Sequence, residues 1–335
     1  MQVRRYPAEW EHHDSLWLAR PHDKSEWGDY FDGACQAIDC LIAELTSDTN
    51  AEPIDLLVPE LETHGLGLQC RQWQCNYGDV WLRDTAPVFV QVGDSMRAQS
   101  FDFNGWGGKF LFDGDPELAA LVATFAGLER DHHQLVLEGG AIDGNGADTI
   151  LTTRECLLNK NRNPSLGESD IETLLASALG TKKTIWLDRG LIGDHTDGHV
   201  DNVARFTSAE RVVCTKASAR GEVNEAIYRE VHNTLRNART ANGEPLEIVE
   251  LPSPGEVKGP EGIMAASYCN FLLTNCCVVV PVFDCLSDIE ALSILSSLFP
   301  ERRTVAIPSF ALLTGGGTIH CISKEQASPS PPRTV

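Results

Sequence analysis

Four glycine-rich turns recur where β-rich runs begin or end: Gly105–Gly108, Gly139–Gly140, Gly193–Gly198 and Gly315–Gly317. Their recurrence along one chain points to a pseudo-repeat with one polar loop per unit. Apolar residues at positions 31, 34, 35, 38, 41, 42 and 45 predict a helix over Tyr30–Leu45. A second helix is expected after Ser169, with Glu172 completing a capping box, and a fourth after Ser287, with Glu290 in the same role. The third runs from Glu222 to Arg239. Between them lie nine β-rich runs: 54–58, 80–92, 149–158, 184–187, 200–206, 211–215, 246–251, 270–283 and 303–307. Strands therefore outnumber helices about two to one. Regular βαβ alternation gives closer to one to one, so a simple doubly wound sheet is disfavoured. No linker or low-complexity segment divides the first 325 or so residues. The expected organisation is a single domain over 1–326, followed by a disordered tail over 327–335.

Charge and topology narrow the partners. Asp and Glu number 48 against 27 Lys and Arg, a net charge of −21. That argues against nucleic acid and anionic membranes and favours a cationic ligand. The longest strongly apolar run, Cys276–Phe283, is far short of the ~20 residues of a membrane helix. The N-terminus lacks the apolar core of a signal peptide, so a cytoplasmic location is expected. The 11 cysteines include no CxxC pair, and free thiols in a reducing compartment are the simplest reading.

Four segments carry candidate chemistry. In Thr314-Gly-Gly-Gly-Thr-Ile-His-Cys321, glycines precede a cysteine expected at the start of a short strand, an exposed nucleophile or a structural thiol. In Gly198-His199-Val-Asp201, an extended backbone would put imidazole and carboxylate on one face. Such a pair can serve as general acid/base and cation grip, or as a solvated turn. His195, Asp197, His199 and Asp201 could instead ligate a metal and make the chain a metal-dependent hydrolase. In Asp79-Val-Trp81-Leu-Arg83-Asp84, strand alternation would set Asp79, Trp81 and Arg83 on one face, with Asp84 opposite. Buried charges there need partners or a task. Glu138 stands directly before Gly139-Gly140, on its own an ordinary turn. The adjacent pairs His12-His13 and His132-His133 point opposite ways on a strand and are read as structural. Carboxylates, one histidine and one cysteine together suit a guanidinium: it is planar, always positive and offers paired donors. Its carbon is a poor electrophile, which calls for a thiolate.

These segments, with Phe103-Asn-Gly-Trp-Gly-Gly108 and Glu155-Cys-Leu-Leu-Asn-Lys-Asn-Arg-Asn-Pro164, resemble the agmatine deiminase / bacterial peptidyl-arginine deiminase family of guanidino-group-modifying enzymes. The resemblance spans Pro7 to about Gln326. It implies an α/β pentein-type propeller of five pseudo-repeated units around a central acidic channel. It places the nucleophile on Cys321 and the acid/base on His199. The carboxylates that hold the guanidinium fall on Asp84 and Asp201, with Glu138 helping to seat it. Trp81 matches an aromatic lining the site, with Asp79 beside it in the substrate-binding set. The family implies no metal, no organic cofactor and a homodimer in some relatives. The implied activity is a guanidine iminohydrolase acting on agmatine. Peptidyl arginine at a C-terminus, or free arginine, stays open as the alternative. Gly78 replaces the asparagine usual before Asp79, the loop before Gly198 is short, and Lys324-Glu-Gln replaces a glutamine-rich continuation. Those departures touch the substrate tail, which is a second cation in agmatine and a carboxylate in a C-terminal arginine.

Overall fold

Ile54–Val58, Val88–Val92 and Thr149–Thr153 are buried at every position, the pattern of strands covered on both faces. Around such strands the computed structural model, which describes residues 3–61, 70–260 and 262–329, builds an α/β fold of small mixed sheets. Five sheets have three or four strands, a sixth is the hairpin Lys258–Gly259 with Gly262–Ile263, and none closes on itself among the described residues. The five larger sheets share one plan. A leading strand pairs antiparallel with a second, which pairs parallel with a third. Each crossover between second and third carries one long helix, joined in three of them by a four-residue helical turn, Lys24–Trp27, Gly105–Gly108 or Arg154–Leu157.

In chain order of their helices, the second and third strands are His13–Ala19 with Ile54–Val58, Ser95–Asp102 with Arg130–Val136, and Thr149–Thr153 with Lys183–Leu187. Then come Arg211–Lys216 with Glu247–Pro252 and Cys277–Val282 with Arg303–Pro308. The crossover helices are Phe31–Thr46, Asp115–Phe125, Glu168–Leu179, Glu225–Asn237 and Ser287–Leu298. The leading strand of the first sheet is Lys324–Ala327, so the chain's end pairs with its beginning.

Four of these helices stand where the periodicity predicts. Asp115–Phe125, opened by a proline in its first turn, is an addition. Neither predicted capping box forms. Gly167, not Ser169, caps the Glu168 helix, and its N–H donates to Asp170 at 2.9 Å. Leu286 precedes the Ser287 helix, and Asp288 accepts from the N–H groups of Phe283 and Cys285 at 3.1 and 3.0 Å.

The expected run 80–92 is corrected to a helical turn, Leu82–Thr85, and a strand, Val88–Val92. Asp79 accepts from the N–H of Val80 at 2.8 Å and bends the chain there. Ala86, preceding Pro87, is forced extended and ends the turn. Likewise 200–206 opens with a 3-10 turn, Val200–Asn202, before the strand Ala204–Phe206. Ala327 and Ser328, expected in the tail, are tied down: Ala327 ends a strand and Ser328 donates its N–H to the His12 carbonyl at 2.8 Å. Residues 330–335 lie outside the described residues. Among the described residues no helix is long and apolar enough to cross a membrane.

Candidate active site

Each of the five larger sheets is entered at its leading strand through a tight turn. Those turns are Leu82–Thr85, Gly139–Ala141, Val200–Asn202, Tyr268–Asn270 and residues 319–322. From each turn or its threshold one side chain reaches a common point: Asp84, Glu138, Asp201, Asn270 and Cys321. All five are buried. Cys321 lies in a turn, not at a strand start, and is 6 % exposed, which corrects the expectation of an exposed nucleophile. His199 and Asp201 belong to no extended run, yet the 3-10 turn still delivers both.

Cys321 Sγ accepts from Asn270 Nδ2 at 3.1 Å and lies 3.9 Å from Asp201 Oδ2. Burial pushes the thiol well above its usual range, and the charges of Asp201 and Asp84 push it further. His199 Nδ1 lies 3.7 Å from Asp84 Oδ1, and Nε2 lies 4.0 Å from Glu138 Oε2. Neither ring nitrogen has a hydrogen-bond partner. Burial works against an imidazolium here, but Asp84 and Glu138 outweigh it and raise the His199 pKa.

Asp84 is held by the Gly140 N–H at 2.9 Å and the Trp106 indole N–H at 2.9 Å. Trp106 adopts φ 51, a left-handed conformation that a bulky residue keeps only where its surroundings impose it. Glu138 accepts from Arg162 Nε at 2.6 Å, both side chains being fully buried. Burial raises the Glu138 pKa despite that cation. Asp201 Oδ2 accepts from His320 Nδ1 at 2.7 Å, and Oδ1 has no partner. Burial would raise the Asp201 pKa, but His320 overrides it and the pKa is lowered.

A cavity of about 270 Å³ leads to the thiol. Its lining includes Glu26, Asp79, Asp84, three tryptophans and Cys321, and among the described residues no lysine or arginine. Trp27 and Trp81 stack with centroids 5.8 Å apart, and both indole N–H groups donate to Asp79, at 3.0 and 2.8 Å. Burial lifts the Asp79 carboxyl to about 6. Arg83, expected beside Asp79 and Trp81, turns away to Glu325 at 2.5 Å.

The residues proposed as a metal cluster do not converge. Asp197 is taken by Lys109, Asn161 and Arg162, and the His195 ring packs on Phe110 at 5.9 Å. Among the described residues the group close enough to share an ion is Glu138, Cys156 and His199, and Glu138 already carries Arg162.

Asn270, Trp106, Arg162 and His320 escape a reading of local pattern. Asn270 could have been found by its place: it stands two residues before a leading strand, as Asp201 stands three before its own and Cys321 three before its own.

A family model described as Porphyromonas-type peptidyl-arginine deiminase matches residues 5–327. The chain is 33 % identical to the agmatine deiminase of Ectopseudomonas mendocina, over 96 % of this chain and 95 % of that one. It is similar in structure to the agmatine deiminase of Enterococcus faecalis, with TM-score 0.91 and 27 % identity over 98 % of this chain and 97 % of the other. A substrate-bound agmatine deiminase variant from C. jejuni matches with TM-score 0.91 and 26 % identity over the same shares.

Proposed function

We propose that this chain, which belongs to the Porphyromonas-type peptidyl-arginine deiminase family, hydrolyses agmatine to N-carbamoylputrescine and ammonia. The observation that carries the substrate is the cavity in front of Cys321. It holds Glu26, Asp79 and Asp84 with no lysine or arginine among the described residues, so it attracts a cation at both ends of a ligand. A C-terminal arginine would bring its carboxylate against the same acidic lining.

In this reading the guanidinium sits between Asp84, Asp201 and Glu138, which hold it by paired hydrogen bonds and place its carbon against Cys321. In the empty site the thiol keeps its proton. The incoming cation offsets Asp201 and Asp84, and the thiol releases that proton to solvent. The thiolate attacks the guanidinium carbon, and His199 gives a proton to the departing ammonia. A water, deprotonated by His199, then adds to the amidino-thioether carbon. The tetrahedral intermediate expels the thiolate, which takes up the proton released from the intermediate's hydroxyl as the ureido carbonyl forms. The raised His199 pKa suits the first, acid half. We further infer that the five sheets are the units of a propeller, with the five converging turns on its axis.

The test is ureido-product formation by the purified protein on agmatine, free arginine and a peptide ending in arginine, with Cys321→Ala as blank. Turnover of agmatine is expected. Turnover of the peptide alone would make the protein a peptidyl deiminase, and turnover of none would overturn the reading.

A further inference from the structure

His320 precedes the proposed nucleophile in sequence, yet its side chain turns to the far side of the site. It is buried and bridges two carboxylates: Nδ1 to Asp201 Oδ2 at 2.7 Å and Nε2 to Glu9 Oε2 at 2.8 Å. An ionised carboxylate only accepts, so both ring nitrogens act as donors. Glu9 is itself fixed. Arg205 Nη2 donates to the same oxygen at 2.5 Å, and the Leu273 N–H donates to the other at 2.8 Å. Arg205 is anchored in turn by Asp143 at 2.5 Å and by the Phe271 carbonyl at 3.0 Å. The chain of contacts runs Arg205, Glu9, His320, Asp201 and ends 3.9 Å from Cys321 Sγ. Asp201 Oδ1 is left buried with no partner. A buried carboxylate oxygen without a donor points to a ligand that supplies one.

We propose that His320 is a positioning residue: it fixes Asp201 Oδ2 beside Cys321 Sγ and leaves Oδ1 as the acceptor for the substrate's guanidinium. Resting on the deiminase reading above, the inference gives Asp201 its orientation and gives Glu9 a role 311 residues away in sequence. The groups facing Asp201 are His320, His199 and Arg205, with Cys321 and Asp84 close by. Those facing His320 are Glu9, Asp201 and Arg83, whose Nε donates to the His320 carbonyl at 3.2 Å.

The experiment is kcat and KM on agmatine from about pH 5 to about pH 9 for wild type, His320→Asn and His320→Gln, with thermal melts alongside. A loosened Asp201 should raise KM about tenfold while kcat falls less than about threefold. The acid limb of kcat/KM should move to higher pH, because Asp201 loses the donor that keeps it ionised. Asparagine, whose amide can still reach Asp201, should shift these values less than glutamine. Unchanged KM with the acid limb in place would overturn the inference, as would equal loss of kcat and kcat/KM. If neither variant folds, Glu9→Gln, which keeps an acceptor for His320 but removes the charge, should move KM and the acid limb the same way by less. Wild-type failure on agmatine would instead strike the deiminase reading. In that event the probe is methylguanidinium binding, by calorimetry, to Cys321→Ala with and without His320→Gln. Affinity about tenfold weaker in the double variant upholds the inference; equal affinity, or no binding to either protein, overturns it.

Discussion

At Gly140 there is no room for a side chain: a Cβ would come within 2.6 Å of His199 Nδ1 and 2.9 Å of Asp84 Oδ1. Gly140→Ala should therefore displace the imidazole. Because a shift of about 1 Å costs on the order of 100-fold, kcat on agmatine should fall by about that factor while the folded state survives in circular dichroism. Activity near wild type would mean that His199 needs no such placement. Cys321 allows a second prediction at this scale. Its thiol is buried beside Asp201 and Asp84, so its alkylation by iodoacetamide should still be accelerating above pH 9, the ordinary thiol value. Asp201→Asn should bring the midpoint down. A plateau near neutrality in the wild type would contradict the raised thiol. Cys321, His199, Asp84, Asp201 and Glu138 could be singled out in the sequence because they stand in short motifs that together resemble one family; Glu138 alone read as an ordinary turn. Asn270 and Glu9 were not, because they meet Cys321 and His320 across 51 and 311 residues. Local pattern says nothing about such pairings.

The elements divide by how they are stabilised. Crossover helices and parallel strands are set by apolar periodicity and burial, and these were readable from the residues, to within a few positions for Phe31–Thr46, Ile54–Val58 and Arg303–Pro308. The turns that carry the site are set by side-chain hydrogen bonds and proline, as at Asp79 and Pro87, and alternation misreads them as strand. The turn after Arg154–Leu157 shows what such bonds contribute. From it Arg162 reaches Glu138, Asp197 and the Thr196 carbonyl, tying the turn before Ile142 to the loop before His199. Removing one partner of a buried pair leaves an uncompensated charge, at a cost of about 3–5 kcal/mol. Arg162→Ala should lower unfolding stability in urea by about that amount, and pairing it with Glu138→Gln should restore part of the loss. A change under about 1 kcal/mol would show that Glu138 needs no cation.

For the molecule as a whole, opposing shifts among its buried carboxylates set the pH dependence of stability. Burial would raise Glu325, but Arg83 and Lys324 hold it at about 2, and Glu9 and Asp201 are also held below their ordinary values. Groups lowered in this way stabilise the fold at neutral pH, and that contribution is lost as pH falls through about 4 toward 2. Burial lifts Asp79 and Asp115 to about 6. Their contribution has the opposite sign: it is present below about 4 and lost as pH rises through about 6. Melting temperature should therefore peak between about pH 4 and about pH 6 and fall steeply on the acid side. A monotonic rise to pH 8 would contradict the lifted pair. The converging turns bring Cys321 Sγ beside Asn270 and Asp201, and the chemistry proposed there leaves a covalent trace. The most direct measurement is mass spectrometry of the protein quenched in acid during turnover of agmatine. The peptide bearing Cys321 should carry the mass of agmatine less ammonia, and Cys321→Ala should show neither adduct nor product. Product formation by Cys321→Ala, or steady turnover with the adduct on another residue, would contradict a covalent deiminase centred on Cys321.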